Sequence, residues 1–456
     1  MNGIYISKMK YNFKWEGYVK MTESELKLTE RQEEAFENMK QGKNIFLTGP
    51  SGSGKSRVIN LFKQLYQHQR KIAITSTTGV SAILIGGTTL HSYLGIGLGT
   101  GTVEELTGSI MKNTRSRQRW MELDVLIIDE VSMLSPQLLD KLEKVARAVR
   151  RIKPKRMLAD DGESERVFGG IQLVLSGDLL QLPVVGDSDS FVFDAECWEK
   201  CIEKVVQLEK IMRQNDGEFQ SVLNELRIGC VSKKGRKLLD GRIGVKLRNE
   251  LGIIPTRIYT TNAQVDEMNN RKLDDLREVN MYEYEMEVYF YEFVKDKTRM
   301  MEKYRKSSLA PEVLQLCVGA QVVLVCNLEL ESGLANGSRG VVVNIVDDIP
   351  MVRFLNGEER VISHWSWEVE EDGRKQVKIT QIPLRLAWAQ TTHKVQGSTI
   401  DYAEIDLSNV FTYGQAYVAL SRVKSLDGLS IINISYDGVK AHPKALEYYK
   451  RLKNGD

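Results

Sequence analysis

No stretch of this chain approaches the ~18 consecutive apolar residues that a membrane-crossing helix requires, so no span and no membrane partner are expected. The opening residues, MNGIYISKMKYNFKWEGYVK, contain neither an apolar core nor a small-residue cleavage site. They read as a loosely docked lead-in over residues 1–21, not as a secretory signal. Cysteine is scarce. Cys197, Cys201, Cys230, Cys317 and Cys326 are odd in number and irregularly spaced, which argues against a disulfide framework. That suits an intracellular, reducing compartment, without choosing among cytoplasmic, nuclear and viral settings. Cys197 and Cys201 have the spacing of half a metal site, but no second close pair of Cys or His accompanies them, and buried thiols are expected. An excess of charge is missing too. Lys and Arg total 63 against 61 Asp and Glu, a net charge of +2. Such a balance neither demands nor excludes nucleic acid, because phosphate contacts need only one basic face. RAVRRIKPKR, Arg147 to Arg156, is a local basic excess that reads equally well as a solvated helix end. Internal repeats, low-complexity tracts and long linkers are absent, as is an Asn-Lys-x-Asp guanine reader.

What is present is enough chain for several cores. At 456 residues, two to four domains are expected, and 42% hydrophobic with 27% charged residues describes an ordinary globular composition. The pattern GxxxxGK[ST] is met by Gly49-Pro50-Ser51-Gly52-Ser53-Gly54-Lys55-Ser56. An apolar strand, Ile45 to Leu47, precedes it and a helix over about Lys55 to His68 follows. Glycines let successive backbone N–H groups converge on phosphate oxygens, and the helix adds its positive end. Lys55 would reach the β- and γ-phosphates, and the Ser56 hydroxyl would help hold Mg²⁺. A second strand, Val125 to Ile128, is apolar throughout, as expected for a strand covered on both faces, and ends in Asp129 and Glu130. Asp129 would hold the Mg²⁺ hydration shell and Glu130 would polarise the attacking water. A third, within IQLVLSGDLLQLP, carries Asp178 and Gln181 past its end, near the γ-phosphate; KIAITSTTG supplies a fourth. Together they describe a parallel α/β nucleotide-binding core, with ATP preferred over GTP.

Further motifs follow in order: LTERQEEAF, TSTTGVSAILIGGTTLHSYLGIG, IIDEVSML, LSGDLLQLPVV, QLEKIMRQND, IYTTNAQVDEMN, IPLRLAWAQTTHKVQGST and YVALSRVKSLDGL. In this set the chain resembles the PIF (petite integration frequency) helicases, a branch of superfamily-one helicases moving 5′ to 3′ on DNA. The resemblance runs from about Leu28 to Leu452. It includes a signature from Asp140-Lys141-Leu142 through FGGIQLV, and departs at Val167, at Leu179-Leu180, at Val184 and in a longer RRIKPKRMLADDGESER segment.

The resemblance implies an α/β fold of two RecA-like P-loop NTPase domains with parallel sheets, plus a small SH3-like β-barrel inserted in the second. The first domain would span 22–205, with a wedge-like insertion over about 93–119. The second would comprise 206–280 and 383–456, interrupted by 281–382, where short β-branched strands alternate with turns at Asn336-Gly337, Asp347-Asp348 and Asn356-Gly357. Gln32 would meet the adenine. Arg213 and Arg422 would act as arginine fingers from the second wall, and Gly397 would sense phosphate. DNA would be gripped by Thr78, Gly79, His91 and Ser92 on one domain and by Asn262, His393, Lys394 and Gln396 on the other, through phosphates and base stacking without reading sequence. Trp388 is expected in the core, and one of Trp365 and Trp367 would face DNA. The implied enzyme is an ATP-dependent 5′-to-3′ DNA helicase using ATP and Mg²⁺. Its partners would be single-stranded DNA and single-strand/duplex junctions, with G-quadruplexes and RNA–DNA hybrids as further candidates, and a monomer is expected in solution. The alternative is an ATP-controlled nucleic-acid clamp or remodeller without directional unwinding.

Overall fold

The computed structural model describes residues 27–151 and 166–454, except 98, 185, 248–252, 277–279, 293, 295, 299, 302–309, 327, 330–333, 335 and 372–373. The lead-in over 1–21 and most of the long RRIKPKRMLADDGESER segment lie outside the described residues.

The first domain is built on a parallel sheet. Its strands are β1 (Ile45–Thr48), β2 (Ile72–Ser76), β3 (Thr88–Thr89), β4 (Val125–Asp129), β5 (Gln172–Gly177) and β6 (Lys204–Gln207), in the order β3-β2-β4-β5-β1-β6. Alternate residues of each apolar run face opposite ways, and both faces are covered. Ile45, Leu47, Ile74, Val125, Ile127 and Val174 meet Val58, Ile59 and Phe62 of the helix Lys55–Tyr66. Phe46, Leu126, Ile128, Leu173 and Leu175 meet Leu139, Leu142, Val145 and Val149 of the helix Pro136–Arg151, apolar positions three and four apart. The described part of the basic stretch is used in packing: Arg147 pairs with Glu143 at 2.9 Å, and Arg150 donates to the Trp120 and Leu123 carbonyls at 3.1 and 2.9 Å. Residues 93–119 contribute the helices Val103–Lys112 and Thr114–Glu122, anchored by Trp120 Nε1 on the Leu94 carbonyl at 2.9 Å. Cys197 and Cys201 are free thiols in this core.

After β7 (Thr256–Tyr259) the chain leaves for an antiparallel region. It contains β8 (Tyr282–Glu285), β9 (Glu287–Phe290), β10 (Val313–Leu316), β11 (Gln321–Leu324), β12 (Arg339–Val346), β13 (Ile349–Phe354), β14 (Glu359–Val361), β15 (Trp365–Glu371), β16 (Arg374–Gln381) and β17 (Leu384–Leu386). These pair as β14-β13-β12-β11-β17, β15-β16-β9 and β10-β8. Asp347 and Asp348 both take positive φ, 50° and 60°, as the tight β12–β13 hairpin demands. Trp367 packs against this region's core, which contains the buried Trp388, whereas Trp365 is exposed. The chain returns through β18 (Ala389–Thr391), β19 (Ala403–Leu407) and β20 (Leu429–Ile434), making a second parallel sheet in the order β18-β7-β19-β20. The helices Gly217–Arg227 and Gln415–Leu420 cover it.

Three expected boundaries shift. β6 pairs with β1, so the break at 205/206 falls inside a strand of the first sheet. β17 pairs with β11, so the antiparallel region continues past 382. The C-terminal helix Pro443–Asn454, assigned by sequence to the second domain, buries Ala445 and Tyr449 in the first domain's core, because its apolar stripe fits the sheet face beside Phe46.

Candidate ATP site and strand-binding edge

The phosphate loop joins β1 to the helix Lys55–Tyr66, and its glycines permit close approach. A Cβ on Gly52 (φ +75°) would lie 2.6 Å from Arg213 Cβ, and one on Gly54 (φ +89°) 2.4 Å from Gln32 Nε2. Pro50, Ser51 and Ser53 are buried, and Ser56 opens to solvent in the first turn. Lys55 Nζ lies along the loop, donating to the Gly49 and Pro50 carbonyls at 2.8 and 3.1 Å. Burial pushes its pKa down, against the pull of Asp178, Glu130 and Asp129. Among the described residues the buried Ser53 hydroxyl has no hydrogen-bond partner, an orphan on the glycine-rich loop. Gln32 is buried. Its carbonyl oxygen accepts from Thr29 N–H at 3.1 Å and its amide donates to the Ser53 carbonyl at 3.0 Å. In this geometry Gln32 caps the first described helix and buttresses the glycine loop through the Ser53 carbonyl.

Asp129 ends β4 and Glu130 follows in the left-handed region (φ 56°, ψ 45°), a sparsely populated conformation for a non-glycine residue and one that accumulates at functional sites. Burial, then the neighbouring Glu130 charge, pushes the Asp129 carboxyl up to about 6. A divalent cation would relieve that cost. The oxygen donors of Asp129 and Ser56 fit Mg²⁺, a hard ion that prefers oxygen. Gln181 is 4% exposed and its Oε1 has no partner, leaving a free acceptor. Asp178 is different. It is wholly buried and saturated by Arg227 (2.9 and 2.8 Å), the Tyr417 and Tyr449 hydroxyls (3.2 Å each) and Leu180 N–H (3.2 Å), which leaves nothing for phosphate.

Both expected arginine fingers reach the loop. Arg213 Nη1 donates to Ser51 Oγ at 2.8 Å and to the Ser421 carbonyl at 2.9 Å. Arg422 Nη2 donates to the same Ser51 Oγ at 2.6 Å and to Ser421 Oγ at 2.9 Å, while its Nε holds the Val418 carbonyl at 3.0 Å. Burial, then the like charge of Arg422, pushes Arg213 down to about 9.

The expected DNA residues occupy carboxyl edges of adjacent parallel strands. Thr78 and Gly79 follow β2, and His91 and Ser92 follow β3. Asn262 follows β7, and His393 and Lys394 follow the neighbouring β18. Ser92, Asn262 and Lys394 are exposed. His91 and His393 are half-buried, and burial lowers the pKa of each, favouring neutral rings. Gln396 departs from the expectation. Its side chain is 1% exposed and turns into the cleft, where Nε2 donates to Glu130 Oε2 at 3.0 Å. Gly397 (φ +82°) sits beside it, with a Cβ position 3.6 Å from Glu130 Oε1.

Known proteins resemble this chain along most of its length. A profile described as PIF1-like helicase matches residues 27–237, and one described as the DNA helicase Pif1 2B domain matches 301–345. The 030L protein of Invertebrate iridescent virus 6 is 39% identical over 94% of this chain and 95% of its own length. The human ATP-dependent DNA helicase PIF1 is 37% identical over 94% of this chain and 64% of its own. The crystal structure of Candida albicans Pif1 helicase superposes with a TM-score of 0.80 at 35% identity, covering 93% of this chain and 99% of that one. The chain belongs to the PIF1-like helicase family. It spans just under two thirds of the length of the vertebrate PIF1 helicases it matches. A Bacteroides Pif1 in complex with ADP-AlF3 and single-stranded DNA also superposes, with a TM-score of 0.68 at 28% identity over 94% of this chain and 98% of that one.

Within this PIF1-family chain, sequence reasoning missed Arg227, Tyr417, Tyr449 and the acceptor role of Ser51. Arg227 carried a signal, since it follows Phe219, Val222, Leu223 and Leu226 on the buried side of its helix, where an arginine needs a carboxylate. Tyr449 carried none, because its partners Asp178 and Thr48 are remote in sequence.

Proposed function

We propose that this chain is an ATP-dependent DNA helicase that moves 5′ to 3′ on single-stranded DNA and unwinds duplex at single-strand junctions. The observation that carries the reading is the convergence of Arg213 and Arg422 on Ser51 of the phosphate loop. Two cations from remote segments meet where a triphosphate would lie, an arrangement suited to stabilising a phosphoryl group in flight, worth ~10³–10⁵ in rate for one finger. In this reading Lys55 neutralises the β- and γ-phosphates, Glu130 orients the attacking water and accepts its proton, and Gln181 hydrogen-bonds that water. Ser56 and Asp129 would hold Mg²⁺, which when bound would supply positive charge to the phosphates. Arg213 is fixed beside the loop by its own backbone, whose N–H donates to the Gly52 carbonyl at 3.2 Å, whereas Arg422 reaches the loop across the cleft, so each hydrolysis cycle would shift the grip of Thr78, Gly79, His91 and Ser92 relative to that of Asn262, His393 and Lys394. The antiparallel region is read as an SH3-like module beside the strand. G-quadruplexes and RNA–DNA hybrids are proposed as further substrates, and the working unit in solution as a monomer.

The test is unwinding of matched duplexes carrying a 5′ or a 3′ single-stranded tail, with ATP and Mg²⁺. Unwinding of the 5′-tailed substrate alone supports the reading. Strand-stimulated ATP hydrolysis without unwinding of either would leave a clamp or remodeller instead.

A further inference from the structure

Glu130 is held from both walls of the cleft. From the first, the Thr77 hydroxyl donates to its carbonyl oxygen at 2.9 Å, one residue before Thr78. From the second, Gln396 donates to its carboxylate at 3.0 Å, two residues after Lys394. Both proposed strand grips therefore end on the residue assigned to water activation.

The turn carrying Gln396 is braced as one body. Lys394 N–H donates to Thr391 Oγ1 at 3.3 Å, Val395 N–H to the Thr391 carbonyl at 3.2 Å and Gln396 N–H to the His393 carbonyl at 3.3 Å. Ser398 Oγ closes it on the Val395 carbonyl at 2.6 Å. Val395 is fully buried in the second core and pins the turn midway, with His393 and Lys394 on one side and Gln396 on the other. A structural glutamine such as Gln381 is bonded at both ends of its amide, to the Tyr284 carbonyl and from Ile382 N–H. Gln396 is not: its Oε1 is buried and unpartnered. Among the described residues its side-chain bond goes to Glu130.

We propose that Gln396 is a positioning residue that ties Glu130 to strand occupancy. This rests on the helicase reading above. In the conformation described, the amide occupies the carboxylate oxygen that would otherwise take a proton from water. A polynucleotide seated on His393 and Lys394 tilts the braced turn about Val395 and frees that oxygen. Water's oxygen then bonds to the γ-phosphorus, its proton passes to Glu130, and the bond to the ADP oxygen breaks with its electron pair. Because coupling is reciprocal, the state of Glu130 also biases strand affinity.

The experiment is steady-state ATP hydrolysis by the full chain with and without an oligo-dT strand, for wild type, Gln396→Ala and Gln396→Met, with thermal melting to confirm folding. The methionine variant keeps the side chain's length and removes its N–H donor. The strand-free kcat is expected to rise about tenfold, the scale of one hydrogen bond to a charged group, with KM for ATP unchanged and the stimulation ratio reduced by the same factor. A strand-free rate that stays level or falls in folded Gln396→Met overturns the proposal. So does a gained rate that survives addition of Glu130→Gln. A wild type whose hydrolysis ignores the strand entirely would sink the helicase reading instead, and the two failures are distinguishable in one data set.

Discussion

The Arg422 guanidinium reaches from the second parallel domain to the Ser51 hydroxyl of the first at 2.6 Å. Arg213 shares the same oxygen at 2.8 Å. Two like charges are thereby gathered on one neutral acceptor, where burial and then the charge of Arg422 disfavour the charged form of Arg213.

Ser51 should therefore matter beyond the loop backbone. In Ser51→Ala each arginine keeps its bonds to the Val418 and Ser421 region but loses the shared acceptor. ATP-hydrolysis kcat should fall about tenfold with KM little changed. Ser51→Thr, which keeps the hydroxyl, should recover most of it. A kcat equal to wild type in the alanine variant would remove Ser51 from the positioning of the fingers.

Arg422→Ala should cut hydrolysis by about 10³-fold or more while leaving strand affinity within about twofold, since the side chain is buried at the phosphate loop and not on the strand-binding edge. Fluorescence anisotropy with a labelled oligonucleotide, run beside the ATPase assay, separates the two. Loss of strand binding alone would contradict the assignment.

Glu130→Gln should still bind ATP but hydrolyse it at a small fraction of the wild-type rate, whereas Lys55→Ala should lose turnover with an intact fold. Nucleotide binding by calorimetry, single-turnover kinetics and a melting curve decide between them. Normal turnover by Glu130→Gln would disqualify it as the base.

The Asp178–Arg227 pair predicts a pH-dependent stability term. Burial alone would raise the Asp178 carboxyl, but the Arg227 charge and its hydrogen bonds more than offset that and hold it below its usual value. Such a group contributes stability above the unfolded carboxylate pKa of ~3.9, and the contribution is lost as pH falls through the lower folded value. Asp178→Asn strands a buried guanidinium, so it should cost about 3–5 kcal/mol near pH 7. The deficit should stay level down to about pH 4 and shrink only below it. Denaturant unfolding at three pH values measures this; a deficit that shrinks between pH 7 and pH 5 would place the titrating group elsewhere.

Much of the site was legible in sequence because its chemistry is local. Gly49 to Ser56 must be contiguous to wrap one phosphate group, and Asp129-Glu130 must end an apolar strand to stand at a sheet's carboxyl edge. The parallel core was equally legible, since strands covered on both faces have to be written as unbroken apolar runs. The arginines were placed only through resemblance, because nothing in QLEKIMRQND or YVALSRVKSLDGL states what the guanidinium will meet. Gln396 was drawn to the strand with His393 and Lys394 for the same reason: three neighbours in a turn look alike until the turn is folded and one of them points inward.

The linear order of residues thus determined the glycine loop between strand and helix, the carboxylate pair at the end of an apolar strand, the first parallel sheet and an antiparallel region, while the second parallel sheet was expected through resemblance. Only the tertiary structure decided that Ser51 joins two arginines, that Asp178 serves Arg227 and two tyrosines and not a nucleotide, that the last helix belongs to the first core, and that Gln396 rests on Glu130. Periodicity and backbone freedom act between neighbours and leave their mark in the sequence. Hydrogen bonds between segments hundreds of residues apart depend on how the packed sheets are brought face to face, and that geometry has no local signature.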